Sequence, residues 1–457
     1  MAVDRSALPR PGIEPPFVFP EIRRTRLANG LDVWTVEHRD VPLVSALVLI
    51  RAGAAFDPSD RPGLAAVTGD LLDEGCGELD ALGLHDKLGR LGAQLETEVG
   101  ADATLLGMTT LARFANEALV LLAEMIASPR FDLRDFDRVR DLRVNRLLQL
   151  REIAPAVAER TFLRLLYGNH PYGHLPIGSE ESLRGMAIAE PAAFHRRMYD
   201  PSRISVIAAG NASHDELLRL VDDAFGGWRP DDPHPYPDPA ALPVTATASL
   251  ESDRVFMVQR PGAAQSELRI GHVGVSRTSP DYHALVTLNL VLGGQFVSRI
   301  NTNLRERKGY TYGARTTFDF RRGAGPFVLH ASVQPDATGE AIREAIAELQ
   351  AIRSERPVTT EELELGRASI TRGYPRNFET AEQVTRAIAQ LALYDLPQDY
   401  FTQFVPTIMS LTPDDLTRAA MEHIHPDRLV TVVVGDREKI DGSFVGAGLG
   451  EPVAVAD

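Results

Sequence analysis

The amino-acid sequence predicts an α+β protein made of two homologous α/β halves, each a largely antiparallel β-sheet covered by helices. Three observations lead to this prediction. The chain of 457 residues is too long for one ordinary core, a proline-rich stretch divides it near the middle, and the same landmarks recur in the same order on either side. With 44% apolar and 24% charged residues, the composition is that of a globular protein.

The proline-rich stretch separates the two halves. The segment "FGGWRPDDPHPYPDPAALPVTATASL" at 225–250 contains six prolines. Proline lacks the backbone donor that a helix interior or a central strand needs, and closely spaced prolines stiffen a chain. We therefore predict a first domain over 1–228, a semi-rigid linker over 229–250 and a second domain over 251–457.

The internal repeat is the main reason for treating the halves as homologous. "LAAVTGDLLDEG" at 64–75 aligns without gaps on "HALVTLNLVLGG" at 283–294 with five identities and an offset of 219. Near the end of each half, "DPSRISVIAAG" at 200–210 matches "HPDRLVTVVVG" at 425–435 with an offset of 225. Two matches in order with nearly equal offsets favour a duplicated domain.

The elements follow one order in both halves. In the first, "GLDVWTVEH" and "LVSALVLIRAGA" are rich in β-branched residues and predict strands. A helix follows, then strands in "QLETEVGADATLLGMTTL", long amphipathic helices in "ANEALVLLAEMIA" and "FDRVRDLRVNRLLQLREI", and a closing strand in "RISVIAAG". The second half repeats this order up to "RLVTVVVG". Strands grouped before helices predict sheets with helices on one face.

Charge and cysteine content exclude several classes of function. The net charge of −15 repels nucleic acid and anionic lipid. The single cysteine, Cys76, excludes an intrachain disulfide and a cysteine-based zinc site, and is expected to be a small packed residue. No apolar run approaches the ~20 residues of a membrane span. The first residues lack the apolar segment of a signal peptide, which predicts a cytoplasmic protein, with a periplasmic location as the alternative.

Four further motifs carry a family resemblance. They are "NGLDVW" at 29–34, "RAGAAFDPSDRPGLA" at 51–65, "LYGNHPYGHLPIGSEESL" at 166–183 and "LGGQFVSRINTNLRERKGYTYGA" at 292–314. With the repeat, they make the chain resemble the insulinase/pitrilysin superfamily of zinc peptidases, particularly the bacterial two-subunit members and the mitochondrial processing peptidase. The resemblance implies a clam-like chamber, formed with a partner chain, that encloses extended peptides.

The metal ligands of that superfamily are missing. Catalytic members carry His-x-x-Glu-His on the first helix, where two histidines on one face reach one Zn²⁺ and the glutamate takes a proton from the bound water. The alignment places Ala66 and Asp70 at the histidines and Gly69 at the glutamate. Because catalytic zinc takes three protein ligands, Asp70 alone cannot hold it. We refer to these three residues as the metal position.

The rest of the chain offers no substitute ligands. Where the resemblance implies a distal glutamate, the sequence has Asn145, Arg146 and Leu147. None of the twelve histidines stands in an HExxH or HxxEH pattern. His170 and His174 are four apart, but the proline and glycine between them argue against a helix. We predict no metal in this chain, zinc in a partner subunit, and no activity of the chain alone.

The second half matches the family at an arginine and a tyrosine. In active relatives such a pair, seven residues apart, faces the zinc, binds substrate carbonyls and stabilises the oxyanion. The matching residues are Arg305 and Tyr312. The structural alternative is that "RERK" at a helix C-terminus is favoured by the helix dipole and that tyrosine is common in strands. The family match at 298–313 favours the functional interpretation.

Three hypotheses follow. The first is a non-catalytic subunit of a heterodimeric zinc endopeptidase, whose partner carries His-x-x-Glu-His. The second is a structural subunit of a larger complex, like the core proteins of the cytochrome bc complex. The third is a metal-free homodimeric peptide-binding scaffold. The strand "LETEVGADAT" at 95–104 corresponds to the substrate-pairing edge of catalytic relatives, but Glu96 stands where they carry asparagine. A plain sheet edge is predicted there, with β-augmentation as the alternative.

Overall fold

The structure is a computed structural model that describes residues 17–229, 238, 241, 255–444 and 447–456. All six prolines of the linker predicted over 229–250 lie outside these described residues. The boundaries of that linker therefore remain a prediction. Two six-stranded sheets dominate the described chain, one in each half.

The first half begins with strands and ends with a strand and a helix. Its strands are β1 (Arg23–Arg26), β2 (Asp32–Glu37), β3 (Leu43–Ile50), β4 (Gly75–Cys76), β5 (Leu79–Asp80), β6 (Gln94–Val99), β7 (Thr104–Leu111) and β8 (Ile204–Gly210). Its helices are α1 (Leu64–Asp70), α2 (Ala81–Leu91), α3 (Ala115–Ala127), α4 (Leu133–Arg151), α5 (Ala154–Tyr167), α6 (Glu180–Gly185), α7 (Ala189–Met198) and α8 (His214–Phe225).

The second half follows a similar order of elements, except that its described residues contain no hairpin like β4–β5 and that its outer strand comes last. Its strands are β9 (Val255–Gln259), β10 (Ser266–Val273), β11 (Thr311–Phe318), β12 (Pro326–Val333), β13 (Val430–Gly435) and β14 (Val453–Ala454). Its helices are α9 (Tyr282–Asn289), α10 (Arg299–Asn301), α11 (Thr338–Ala351), α12 (Thr360–Thr371), α13 (Ala381–Tyr394), α14 (Tyr400–Ser410), α15 (Pro413–His423) and α16 (Arg437–Phe444). Two π-helical segments, Leu290–Gly294 and Thr302–Arg307, directly follow α9 and α10.

The two sheets share the order and direction of five strands, which confirms the prediction of two homologous halves, and they differ at the outer strand, which is the antiparallel β1 in one and the parallel β14 in the other. The strand order is β1-β2-β8-β3-β7-β6 in the first sheet and β14-β9-β13-β10-β12-β11 in the second. In both, the closing strand β8 or β13 runs parallel to one neighbour and antiparallel to the other. The remaining pairs are mostly antiparallel, as predicted.

Each sheet is covered on both faces, which corrects the expectation of helices on one face only. The second face of the first sheet is covered by α13, a helix of the second half, whose Val384, Ile388 and Leu391 pack against residues of β2, β3 and β8. Reciprocally, α5 of the first half packs Val157 and Phe162 against β10 and β13. Because central strands are buried on both sides, "ISVIAAG" of β8 is apolar almost throughout rather than alternating.

Exchanged helices join the two halves firmly. Burial of each large apolar side chain contributes about 1.5–3 kcal/mol, so each helix adds several such contributions across the joint. A polar contact lies nearby: the Tyr172 hydroxyl donates to Asp102 at 2.5 Å and accepts from the backbone N–H of Gly323 at 3.0 Å. The two halves therefore pack against each other as one unit.

Two smaller predictions concern Cys76 and membranes. Cys76 is fully buried in the first core, and burial raises the pKa of its thiol to about 11, so it is a packed residue. Within the part of the chain that the structure describes, every helix is either too short or too polar to cross a bilayer.

Candidate active-site residues

The metal position lies on α1, whose start is held from a distance. Gly63 precedes the helix with φ +100, which glycine adopts without strain. The carboxylate of Asp57 accepts from the backbone N–H groups of Gly63 and Ala65, both at 2.7 Å. The N-cap residue, Gly63, has no side chain that could cap the helix. Asp57 therefore caps it from six residues upstream. The segment "FDPSDRPGLA" thus supplies both the capping carboxylate and the glycine at the start of α1.

The first two residues of the metal position leave no space for ligands. Ala66 is fully buried and contributes only a methyl group. A Cβ added at Gly69 would meet Cγ2 of Val99 on β6 at 2.8 Å. Any side chain at Gly69 would therefore require the Val99 side chain to move. The geometry shows that α1 is packed against the sheet as a structural helix.

The third residue, Asp70, is paired with a guanidinium. Nε of Arg143 on α4 donates to Asp70 at 2.5 Å, and a second nitrogen donates to the carbonyl oxygen of Pro176 at 3.3 Å. Arg143 is largely buried, whereas Asp70 is partly exposed. A fixed positive charge therefore lies beside Asp70. Methyl, hydrogen and a paired carboxylate do not form a zinc site, so the residues present do not fit the metal.

Further acids surround this ion pair. A cavity of about 490 Å³ is lined by Asp70, Asp73, Glu74 and Arg143, among others. Glu74 is paired with Arg138. Burial, followed by the charge of Glu74, raises the pKa of Asp73 to about 6. Asp73 is thus the carboxyl group in this region whose negative charge is least balanced by nearby positive charges.

The other candidate metal ligands also have structural partners. His170 and His174 flank a 3-10 turn rather than lying on a helix, and Nε2 of His174 lies 3.1 Å from Asp57. Among the described residues, Asp281, Glu422 and His423 form the one group with metal-ligand spacing. Arg418 already donates to both acids, at 2.7 and 2.8 Å. We assign no metal to either group.

Arg305 and Tyr312 lie where the sequence predicts them, on either side of a helix-to-strand junction. Arg305 lies in the π-helical segment Thr302–Arg307, and Gly309 ends this turn with φ +69. Tyr312 is the second residue of β11 and is 93% exposed. Two π-helical segments so close together are unusual, because such segments are rare and occur frequently at functional sites.

Arg305 has unused hydrogen-bonding capacity. Its guanidinium carbon lies 3.8 Å from the ring centroid of Phe296, a cation–π contact. Its Nη1 atom is buried and has no hydrogen-bond partner among the described residues. Phe296 itself is 63% exposed, in the loop at 295–298 that we call the Phe296 loop. One aromatic ring therefore covers the arginine, and the ring is open to solvent.

The Phe296 loop is fixed against the strand that carries Tyr312. The side-chain amide of Asn301 donates to the carbonyl oxygen of Gln295 at 3.0 Å, and its oxygen accepts from the N–H of Ala314 at 2.9 Å. Phe296 and Tyr312 line one cavity of about 570 Å³. The structure thus places the tyrosine and the ring covering the arginine at one opening.

The strand with Glu96 lies at the edge of its sheet. Within the described residues, β6 pairs with β7 alone. Glu96 and Glu98 point toward α13, where Arg386 lies 2.5 and 3.2 Å from their carboxylates. The sheet edge predicted at 95–104 is confirmed for β6, which ends at Val99, whereas 100–103 connect it to the inner strand β7. Its pairing with a peptide remains a prediction.

Sequence reasoning missed two residues. Arg143 contacts Asp70 across 73 positions, and nothing local in "DLRVNRLLQLRE" identifies which arginine reaches the metal position. Phe296 gave a weak signal, as an apolar residue following two glycines in a loop. Both roles depend on contacts between distant elements.

The sequence is similar to that of known bacterial proteins. The family model described as the Peptidase M16 inactive domain matches residues 190–370. An uncharacterized zinc protease of Mycobacterium tuberculosis is 26% identical over 357 residues, covering 77% of this chain and 79% of the relative. The non-peptidase homolog YmxG of Helicobacter pylori is 19% identical, covering 88% of this chain and 91% of the relative.

Solved structures share the fold. A peptidase M16 inactive domain from Pseudomonas fluorescens superposes with a TM-score of 0.84 at 22% identity, covering 91% of this chain and 98% of that one. A protease from Helicobacter pylori gives the same TM-score at 20% identity, covering 91% of this chain and all of the other. The two-half architecture is therefore that of these proteins.

Proposed function

We propose that this chain is an inactive M16-like protein that serves as the non-catalytic subunit of a heterodimeric zinc metallo-endopeptidase. The partner subunit would carry the zinc on its own His-x-x-Glu-His helix. This chain would add Arg305 and Tyr312 as donors to the substrate carbonyl and to the oxyanion that develops from it. Peptides in extended form would be the substrates.

The observation that carries the proposal is the contrast between the two halves. In the first, the metal position is filled by packing and by the Asp70–Arg143 ion pair. In the second, Tyr312 is 93% exposed and Arg305 has a buried nitrogen without an acceptor. Tyr312 and Phe296, 93% and 63% exposed, line the same cavity, and exposed aromatic side chains that adjoin one another indicate a surface for a partner or a ligand.

The chemistry expected of these residues is hydrogen-bond donation. A phenol hydroxyl and a guanidinium both donate to a carbonyl oxygen, and charge-assisted bonds are the stronger ones. Donors that are fixed before the reaction stabilise an oxyanion more than donors that must reorganise. The cation–π contact with Phe296 keeps the Arg305 guanidinium in one orientation, which serves this purpose.

The test is reconstitution with an HxxEH-bearing homologue encoded by the same genome. Peptide cleavage is measured for each chain alone, for the mixture, and for mixtures with Arg305→Ala or Tyr312→Phe. We expect cleavage only by the mixture, with kcat reduced by roughly 10²- to 10³-fold when one donor is removed. Arg307→Ala and Tyr310→Phe are matched controls, because they change the same residue types within two positions of each donor.

Two outcomes would contradict the proposal. One is full activity of the partner alone. The other is full activity of a mixture that contains both donor variants and still forms the complex by size-exclusion chromatography.

A metal-free peptide-binding scaffold is the second candidate, favoured by two of the four edge strands of the large sheets. Within the described chain, β6 and β11 each have one neighbour and can accept an extended peptide by β-augmentation. A scaffold would form a homodimer and bind peptides without a partner. Analytical ultracentrifugation of the chain, alone and mixed with the HxxEH homologue, separates the two candidates.

A further inference from the structure

One buried side chain, that of Asn301, contacts both of the elements that surround the candidate donors. Asn301 is 7% exposed and lies directly before the π-helical segment Thr302–Arg307, four residues ahead of Arg305. A side-chain amide donates through its nitrogen and accepts at its oxygen. The fold uses both atoms of this amide, and each of them bonds to a different part of the site.

The nitrogen of the Asn301 amide holds the Phe296 loop. It donates to the carbonyl oxygen of Gln295 at 3.0 Å and to Oγ of Ser298 at 3.2 Å, so it bonds to the first and the last residue of the loop. The N–H of Ser298 also donates to the carbonyl oxygen of Gln295, at 3.1 Å, and closes the loop. The ring of Phe296 lies over the Arg305 guanidinium. The amide nitrogen therefore holds the cover of Arg305 in place.

The oxygen of the same amide fixes β11 next to Tyr312. It accepts from the N–H of Ala314 at 2.9 Å, and Ala314 is the residue at which pairing with β12 resumes after a register shift. On the other side of Tyr312, the hydroxyl of Thr311 donates to the carbonyl oxygen of Ser332 at 2.7 Å. Tyr312 therefore lies in a bulge that is anchored at both ends. Such bulges at sheet edges re-aim side chains.

We propose that Asn301 is a positioning residue of this site, which keeps Arg305 under the Phe296 ring and fixes its separation from Tyr312. The inference rests on the proposed function, because it takes both donors to act on one substrate carbonyl. Two donors that reach one oxygen need a fixed separation, and a misplacement of about 1 Å lowers a rate by about 10²-fold. One amide bonded to both elements supplies that separation.

Asn303 provides a matched control two residues further along the chain. It is 8% exposed, and its amide nitrogen donates to Glu344 at 3.1 Å and to Glu348 at 2.7 Å, both on α11. Asn303 is thus as buried as Asn301 and also donates two bonds, but its partners lie outside the Phe296 loop and β11. Asn303→Ala therefore measures the loss of a buried asparagine without loss of the positioning contacts.

The first measurement is the rate at which phenylglyoxal, a reagent for guanidinium groups, labels Arg305 in the full chain alone. Tandem mass spectrometry locates the label, and Arg307, exposed in the same segment, is the internal reference. We expect Asn301→Ala to speed the labelling of Arg305 about fivefold relative to Arg307, the change that loss of an ordinary cation–π contact gives. Asn303→Ala is expected to leave the ratio unchanged.

Two further variants connect the labelling to the Phe296 loop. Phe296→Leu removes the aromatic ring and is expected to speed the labelling as much as Asn301→Ala, and the double variant to add nothing, because both changes remove one cover. Asn301→Asp keeps the size of the side chain and the acceptor for Ala314, but its carboxylate has no N–H for the loop. It is expected to speed the labelling while β11 stays anchored, and it replaces the alanine variant should that variant not fold.

The second measurement is peptide cleavage by the mixture with the HxxEH homologue. We expect Asn301→Ala to lower kcat by roughly 10- to 10²-fold and to leave KM within about twofold, because displaced donors weaken stabilisation of the transition state more than substrate binding. Asn303→Ala is expected to change neither constant. Size-exclusion chromatography verifies that both variants still form the complex.

The inference is overturned if both Asn301 variants keep the wild-type labelling ratio, if Asn303→Ala raises that ratio equally, or if an active mixture keeps its kcat with Asn301→Ala. The labelling uses this chain alone and needs no partner. Absence of cleavage by every mixture would therefore refute the proposed function, while the labelling ratio would still decide whether Asn301 holds Arg305 under its cover.

Discussion

Replacing Asp73 by asparagine is predicted to stabilise the protein in a pH-dependent manner. Asp73 follows α1, next to the metal position, and is half-buried beside Asp70 and Glu74. The pairs Asp70–Arg143 and Glu74–Arg138 use the nearest guanidinium groups. Asparagine has nearly the same shape as aspartate, and it removes the negative charge that nearby positive groups balance least.

The magnitude follows from the pKa. The carboxyl of Asp73 ionises at about 6 in the folded protein instead of 3.8, mainly because of burial. At about 1.4 kcal/mol for each pKa unit, this difference corresponds to about 3 kcal/mol as an upper limit. Solvent reaches part of the side chain and screens the charge, so we expect a gain of about 1–2 kcal/mol for Asp73→Asn at neutral pH.

The direction of the pKa shift determines how the stability difference between variant and wild type depends on pH. A folded-state pKa above the ordinary value favours the protonated carboxyl, so the contribution of this group to stability is fully present below pH 3.8. It is lost as the pH rises through about 6. The variant is therefore expected to match the wild type near pH 4, to gain between pH 4 and 6, and to keep the full gain above pH 6. Urea unfolding at several pH values measures this difference.

An exposed aspartate provides the control. Asp223 lies on α8, is exposed and has no ion-pair partner among the described residues, so Asp223→Asn is expected to change the unfolding free energy by less than about 0.5 kcal/mol at every pH. If Asp73→Asn gives a gain that does not depend on pH, or a loss at pH 7.5, the account of the charges around the metal position is wrong.

Two further predictions concern packing. Ile388→Ala removes a fully buried side chain from α13 and is expected to lower the free energy of unfolding by about 2–5 kcal/mol. Leu365→Ala on α12, where the side chain is 57% exposed, is expected to be nearly neutral in the same urea titration. Equal effects of the two substitutions would refute the packing of α13 against the first sheet. Gly210→Ala is expected to lower the melting temperature strongly, because φ is +153 and the added Cβ would meet the carbonyl oxygen of Leu43 at 2.3 Å. The control is Gly89→Ala on α2, where an added Cβ meets open space, and it is expected to raise the free energy of unfolding by about 0.5–1 kcal/mol. An unchanged melting temperature for Gly210→Ala would contradict the close contact with Leu43.

At the metal position, α1 is held by apolar packing and by the Asp70–Arg143 ion pair. Arg143 supplies a permanent positive charge beside Asp70. The guanidinium satisfies the carboxylate but has no open coordination position and cannot activate water. The helix therefore retains its place in the core without the chemistry.

The sequence by itself determined the fold class, the duplication and the absence of the zinc motif. Hydrophobic patterns identify the elements because they are local: α3 at Ala115–Ala127 coincides with the amphipathic segment in the sequence. The missing histidines at Ala66 and Asp70 are equally visible, since a ligand set needs particular residue types. The spacing of Arg305 and Tyr312 placed them at one helix-to-strand junction.

Only the tertiary structure decided which distant residues meet. The exchange of α5 and α13 between the sheets depends on how two amphipathic helices dock, and their sequences carry no signal for the half that receives them. The pairing of Arg143 with Asp70 and the contacts of Asn301 with the Phe296 loop and β11 arise from helix packing and strand register. Such contacts are set by the free energy of the whole core, because each side chain alone could be satisfied by water.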